Sequence, residues 1–197
     1  MTAPHRMFAT PEAPMPEVTR SATVLILPGI QGSGPGHWQS LWERQDPRVR
    51  RVQQLDWDAP RLEDWLQALE TAAAEAGGPV VLAAHSLGCL LGAHWAARTW
   101  RTVRGALLVA PPDPDGPAFP AAAASFVPVP ERPLPFPSVV VASRDDPYGS
   151  MDYARRQAAV WGSELVDLGE RGHINAESGL GDWPEGRALL QALCEAG

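Results

Sequence analysis

The segment Val80-Val81-Leu82-Ala83-Ala84-His85-Ser86-Leu87-Gly88-Cys89 runs from an apolar stretch straight into a serine set between small residues. The apolar part reads as a strand buried on both faces, and Leu87–Arg98 reads as the helix that follows. A serine at such a strand-to-helix junction matches the nucleophile elbow, usually written G-x-S-x-G. Small residues two before and two after the serine let strand and helix pass closely. Here Ala84 stands at the first glycine position and Gly88 at the second. A serine that only caps a helix would also sit at such a junction. The unbroken apolar run before Ser86 favours the nucleophile.

The same short apolar runs recur on both sides of this segment. They are Val24–Leu27, Val52–Leu55, Ala106–Val109, Val139–Ala142 and Leu165–Leu168. Helical stretches alternate with them: Trp38–Arg44, Leu62–Ala76, Tyr153–Trp161 and Glu185–Cys194. Leu62, Trp65, Leu66 and Leu69 fall at helical spacing. Alternating strand and helix imply an α/β fold. We expect a three-layer sandwich of about six mainly parallel strands with helices on both faces and no large helical cap. In such sheets, sites form at the carboxyl ends of the strands.

Two further candidates follow strand ends. Of the five histidines, His173 lies in Gly172-His173-Ile174-Asn175, just past the last apolar run. It is therefore placed on the same edge as Ser86, where a general base would be needed to activate a hydroxyl. The fifth strand runs into Ser143-Arg144-Asp145-Asp146-Pro147-Tyr148. Either aspartate could orient the imidazole, or both could be solvated carboxylates of an Asp-Pro turn. The order Ser, Asp, His is the one the α/β-hydrolase fold uses.

Donors for a developing oxyanion are expected from the Leu87 N–H and from the loop after the first strand, with Ile30 supplying the second N–H. That loop, Pro28-Gly29-Ile30-Gln31-Gly32-Ser33-Gly34-Pro35-Gly36, has the glycines needed for close backbone approach to a ligand. Its spacing is not the G-x-G-x-x-G of dinucleotide binding.

Composition narrows the classes. The 197 residues carry 16 basic and 23 acidic side chains, a net charge of −7. Nothing here suits a phosphate backbone, and no nucleic-acid partner is expected. Lysine is absent, which excludes Schiff-base chemistry and a P-loop. Two cysteines, Cys89 and Cys194, exclude a disulfide scaffold and a cysteine-rich zinc site. No histidine or carboxylate set has metal-ligand spacing, so neither metal nor cofactor is expected. No apolar run is long enough to span a membrane. Residues 1–20, rich in proline, read as a flexible tail without a signal-peptide pattern, and 21–197 as a single domain. A cytoplasmic location is the resulting expectation; sequence leaves the oligomeric state open. Ten prolines crowd Pro111–Pro137, which reads as a surface excursion or as a lid over the site.

Together these motifs resemble the small serine hydrolase family typified by retinoblastoma-binding protein 9 and bacterial YdeN-like proteins. The resemblance spans Thr23 to Leu193. It rests on Gly36-His37-Trp38 with Trp42, on Asp56-Trp57-Asp58-Ala59-Pro60 with Trp65, and on His85-Ser86-Leu87-Gly88. It continues through Ser143–Tyr148, Trp161-Gly162, Gly172–Asn175 and Gly179-Leu180-Gly181-Asp182-Trp183-Pro184. It departs at Ala84 and at Pro28, where many hydrolases carry histidine. By position it implies Ser86 as nucleophile, His173 as base and Asp146, rather than Asp145, as acid. It implies a reduced α/β-hydrolase acting on a small ester or amide; a hydrolase-like protein-binding module is the rival reading. Trp95, Trp100 and Trp161 read as core or half-buried helix residues. Gln31, His37, Trp38 and Trp57, near strand ends, are candidates to contact substrate.

Overall fold

The computed structural model describes residues 22–195. The expected tail, 1–20, lies outside them. Among the described residues six strands form one parallel sheet in the order β2-β1-β3-β4-β5-β6: β1 Thr23–Leu27, β2 Val49–Arg51, β3 Val80–His85, β4 Val103–Val109, β5 Ser138–Ala142 and β6 Glu164–Asp167. Among the described residues five α-helices connect and flank them: α1 Trp38–Gln45, α2 Leu62–Ala76, α3 Leu87–Ala96, α4 Met151–Trp161 and α5 Pro184–Glu195.

Alternation along the central strands sorts two cores. Leu25, Leu27, Leu82, Ala84 and Leu108 face α2, α3 and α4. Val24, Ile26, Val81, Ala83, Leu107 and Val109 face α1 and α5. The result is the expected three-layer sandwich. Local chemistry fixes the helix ends. Glu63 and Asp64 fill the first turn of α2, where the helix dipole favours negative charge, and Gly77 closes it at φ 63°. Ser150 caps α4 by accepting the Tyr153 N–H at 3.1 Å.

The edges depart from the sequence reading. The second strand lies at Val49–Arg51, ahead of the expected Val52–Leu55. Val52 still donates its N–H to Ile26, but the chain then leaves the sheet and Leu55 is 86% exposed. Neither β2 nor β6 is buried throughout, because an outer strand has a neighbour on one side only. Trp100 also differs from the expected half-buried helix position. It lies past the end of α3 and is 83% exposed, with Arg101 over its ring at 4.9 Å, whereas Trp95 and Trp161 are buried as expected.

Between β4 and β5 there is no helical cap. The proline-rich stretch makes one short 3-10 helix, Ala121–Phe126, and is pinned to the body. Phe126 is buried and its carbonyl bonds to His94 Nε2 at 2.8 Å; the Trp161 indole donates to Pro130 at 3.2 Å. The stretch is a surface excursion whose Pro112, Phe119 and Pro120 reach the edge where the site lies.

Candidate active site

The strand order reverses between β1 and β3, which opens a crevice at their carboxyl ends. Ser86 stands there, directly after β3, at φ 53° and ψ −124°. A non-glycine residue at positive φ is strained and held by its surroundings. The Ser86 N–H donates to Val109 at 2.9 Å and its carbonyl accepts from Cys89 at 2.9 Å. Gly88 makes the turn possible. A Cβ there would lie 2.1 Å from the Leu27 carbonyl oxygen, so only glycine lets α3 cross the end of β1. Ala84, in contrast, is accommodated in full burial on β3.

The three side chains drawn from separate strand ends meet. Ser86 Oγ lies 2.9 Å from His173 Nε2, and His173 Nδ1 lies 2.9 and 3.0 Å from the two Asp146 oxygens. The Asp146 side chain is 2% exposed and that of His173 11%. With Nδ1–H donated to the carboxylate, Nε2 is left as an acceptor for the serine hydroxyl. Tyr148 also donates its N–H to Asp146 at 2.9 Å.

Asp145 faces elsewhere. It accepts the Ser143 hydroxyl at 2.7 Å and the Gly172 N–H at 2.8 Å. Those bonds, Ser143 first, hold its carboxyl below the usual carboxylate range. Asp145 thus ties the His173 loop to the end of β5, and Ser143 adds a bond from the Arg171 N–H at 2.8 Å.

The loop after β1 lies against Ser86. A Cβ on Gly29 would sit 2.8 Å from that of Ser86 and 3.4 Å from the Leu87 nitrogen. The Gln31 N–H is taken by the Trp57 carbonyl at 2.9 Å. Among the described residues the Ile30 and Leu87 amides make no such backbone bond, Leu87 because the first N–H groups of a helix have no partner within it. Around them is a cleft of about 420 Å³, lined by Ile30, Gln31, Leu87, His173 and Asn175, and by Pro112, Phe119 and Pro120 from the proline-rich stretch.

Of the residues expected to contact substrate, Gln31 and His37 line this cleft. Trp38 does not: it is buried between Trp42 and Trp183, and its indole donates to the Ile174 carbonyl at 3.0 Å. Nor does Trp57, whose ring lies beneath Gly32, 3.5 Å from where a Cβ would be, and packs edge-on against Trp65. Both indoles build the walls from behind. His37 caps α1, its Nδ1 accepting the Gln39 N–H at 3.2 Å. Burial above all, then the positive charge of Arg51 and the neighbouring His173, push its pKa down to about 3.

His85, next to Ser86 in the chain, also belongs to the site's surroundings. It is buried, and its Nε2 lies 2.8 Å from the His173 carbonyl oxygen. Burial, then His37 and His173, keep it neutral well below the usual histidine range. Tyr148, whose ring stacks obliquely 4.5 Å from that of His173, also borders the cleft and was not anticipated as a lining residue. No pattern in the sequence marks either, since each acquires its neighbour only on folding.

A parallel sheet with this strand order and a serine elbow at its switch point defines an α/β-hydrolase fold. Residues 24–192 match the serine hydrolase family, and the chain belongs to it. Among solved structures, one described as a YdeN-like hydrolase from Pectobacterium atrosepticum is 35% identical, with a TM-score of 0.81 over 89% of this chain and 91% of that one. The ydeN gene product of B. subtilis is 21% identical, with a TM-score of 0.71 over 87% and 98% of the two chains. A thermophilic esterase from Thermogutta terrifontis shares the fold at 16% identity, with a TM-score of 0.64 over 89% and 90%. Comparison with the curated proteins found no relative. Among the described residues, no helix is long and apolar enough to cross a membrane.

Proposed function

We propose that the protein hydrolyses a small carboxylic ester, or an amide, through an acyl-enzyme on Ser86, without a cofactor. The observation that carries this reading is the continuous chain Ser86 Oγ–His173 Nε2, His173 Nδ1–Asp146, at 2.9 Å for each link. In acylation, Ser86 Oγ bonds to the substrate carbonyl carbon while its proton passes to His173 Nε2. Asp146 stabilises the imidazolium and fixes its tautomer. The carbonyl oxygen, now negative, accepts from the Ile30 and Leu87 N–H groups, both of which belong to residues that line the cleft at Ser86. Collapse breaks the bond to the leaving alcohol, and His173 gives that alcohol its proton. A water then gives a proton to His173, attacks the acyl carbon and releases the acid, and Ser86 regains its proton.

A cleft of about 420 Å³, toward the lower end of ligand sites, supports a small substrate. A fluorophosphonate probe tests the reading. Rapid one-to-one labelling that is lost in Ser86→Ala supports it. An unlabelled, folded wild type supports the rival reading of a hydrolase-like binding module.

A further inference from the structure

The loop that carries His173 is held in an unfavourable backbone conformation. Gly172 has φ 52° and Ile174 has φ 50°. The second is a β-branched residue in the left-handed region, a conformation that persists only where the surroundings impose it. Beyond the ties of the Arg171 and Gly172 N–H groups to Ser143 and Asp145, the loop's internal bonds, such as Ile174 N–H to Arg171 at 3.1 Å, do not reach the body of the protein.

Two buried ring donors do. His85 Nε2 lies 2.8 Å from the His173 carbonyl oxygen. A carbonyl can only accept, so His85 carries its proton on Nε2 and donates it. Trp38 Nε1–H donates to the next carbonyl, Ile174, at 3.0 Å. His85 is 5% exposed and Trp38 1%. The His85 ring is itself packed against those of His37 at 4.7 Å, His173 at 4.8 Å and Trp38 at 6.3 Å. Trp38 is wedged between Trp42 and Trp183. Both donors are thus held within one cluster of packed rings.

We propose that His85 and Trp38 are positioning residues that clamp the consecutive carbonyls of His173 and Ile174 and so set His173 Nε2 against Ser86 Oγ. The proposal rests on His173 being the base. His85 is covalently the neighbour of Ser86, at the end of β3. The residue that delivers the nucleophile therefore also holds the backbone of its base, and the two sites cannot drift apart independently. Asp145 and Asp146 hold the loop from the β5 side, through Gly172 and the imidazole; the ring clamp holds it from the α1 and β3 side.

The test compares His85→Phe, which keeps a ring and removes the donor, with His85→Gln, whose amide nitrogen reaches the position of Nε2. Trp38→Phe removes the second donor. With p-nitrophenyl acetate, His85→Phe is expected to lower kcat on the order of 100-fold with KM about unchanged, the scale for misplaced reacting groups. His85→Gln should recover most of the loss. A filler of space would show no such rescue, and equal losses in His85→Phe and His85→Gln would overturn the proposal. A second readout needs no turnover. The His173 imidazole C–H resonance should be single and sharp in the wild type and in His85→Gln, and broadened or doubled in His85→Phe and Trp38→Phe. An unchanged resonance in both phenylalanine variants would overturn the clamp. A wild type that resists the fluorophosphonate would instead remove the proposed function, and the resonance comparison would still decide whether the clamp exists.

Discussion

Asp145 and Asp146 are consecutive in the chain and grip the same loop at different atoms. Asp146 holds the His173 imidazole at 2.9 and 3.0 Å, while Asp145 holds the Gly172 N–H at 2.8 Å. One orients a ring and the other anchors the backbone beside it. Asp146→Asn should therefore lower kcat by about 10⁴-fold, because an amide favours the wrong tautomer. Asp145→Asn keeps an oxygen for Gly172 and should stay within about tenfold of wild type, the scale of one weakened neutral hydrogen bond. Steady-state kinetics on one ester check the ranking, and the reverse order would exchange the two roles.

Backbone proximity at the elbow gives a stability prediction. A Cβ at Gly88 would lie 2.1 Å from the Leu27 carbonyl oxygen, whereas one at Gly34 would meet nothing within 4 Å. Gly88→Ala should cost about 3 kcal/mol or more, at the upper end of overpacking. Gly34→Ala should leave the midpoint of urea denaturation nearly unchanged. Similar midpoints for both would contradict the close crossing of α3 over β1.

Much of this was legible beforehand, for local reasons. Val80–Cys89 encodes its strand, turn and helix by apolar run and small residues alone. Ser86, the pair Asp145-Asp146 and His173 each follow an apolar run, so a parallel sheet brings them to one edge, whereas the choice of Asp146 over Asp145 came only from the family resemblance. The supporting contacts were not legible. Trp38 reaches Ile174 across 136 residues and His85 reaches His173 across 88, and no spacing rule covers such pairs. Trp38 and Trp57 stand near strand ends as expected but face inward, because their indoles fill the space behind the cleft. Trp100 reads like a helix residue, yet α3 ends at Ala96 and the next residues turn into solvent.

Buried histidine predicts a pH dependence of stability. His37 has its pKa lowered from 6.5 to about 3, so between these values the unfolded chain binds a proton that the folded one does not. Stability from this site is fully present above about pH 6.5 and is lost as pH falls toward 3. The lowered pKa of His85 acts in the same direction. His37→Asn keeps an N-cap acceptor and removes the titration. Denaturant unfolding at pH 7.5, 5.5 and 4.5 should show the variant's acid slope shallower by up to about 1.4 kcal/mol per pH unit. Parallel slopes would mean that His37 is not held neutral.

The cleft predicts chain-length selectivity. Phe119, Pro112 and Pro120 close one side of a site of about 420 Å³, and the stretch that carries them is fixed by Phe126 and Trp161. Across p-nitrophenyl esters, kcat/KM should peak at short acyl chains and fall beyond them. Each methylene that found a wall would add up to roughly 0.8 kcal/mol. A steady rise to long chains would require an apolar tunnel that this cleft does not provide.

The central claim is the acyl-enzyme on Ser86, and it is tested most directly by acid-quenching the protein during turnover of p-nitrophenyl acetate and weighing it intact. The account predicts one acetyl group per chain, located by peptide mapping on the segment containing Ser86 and absent from Ser86→Ala. Turnover retained in Ser86→Ala, or an acetyl group located on another residue, would contradict it.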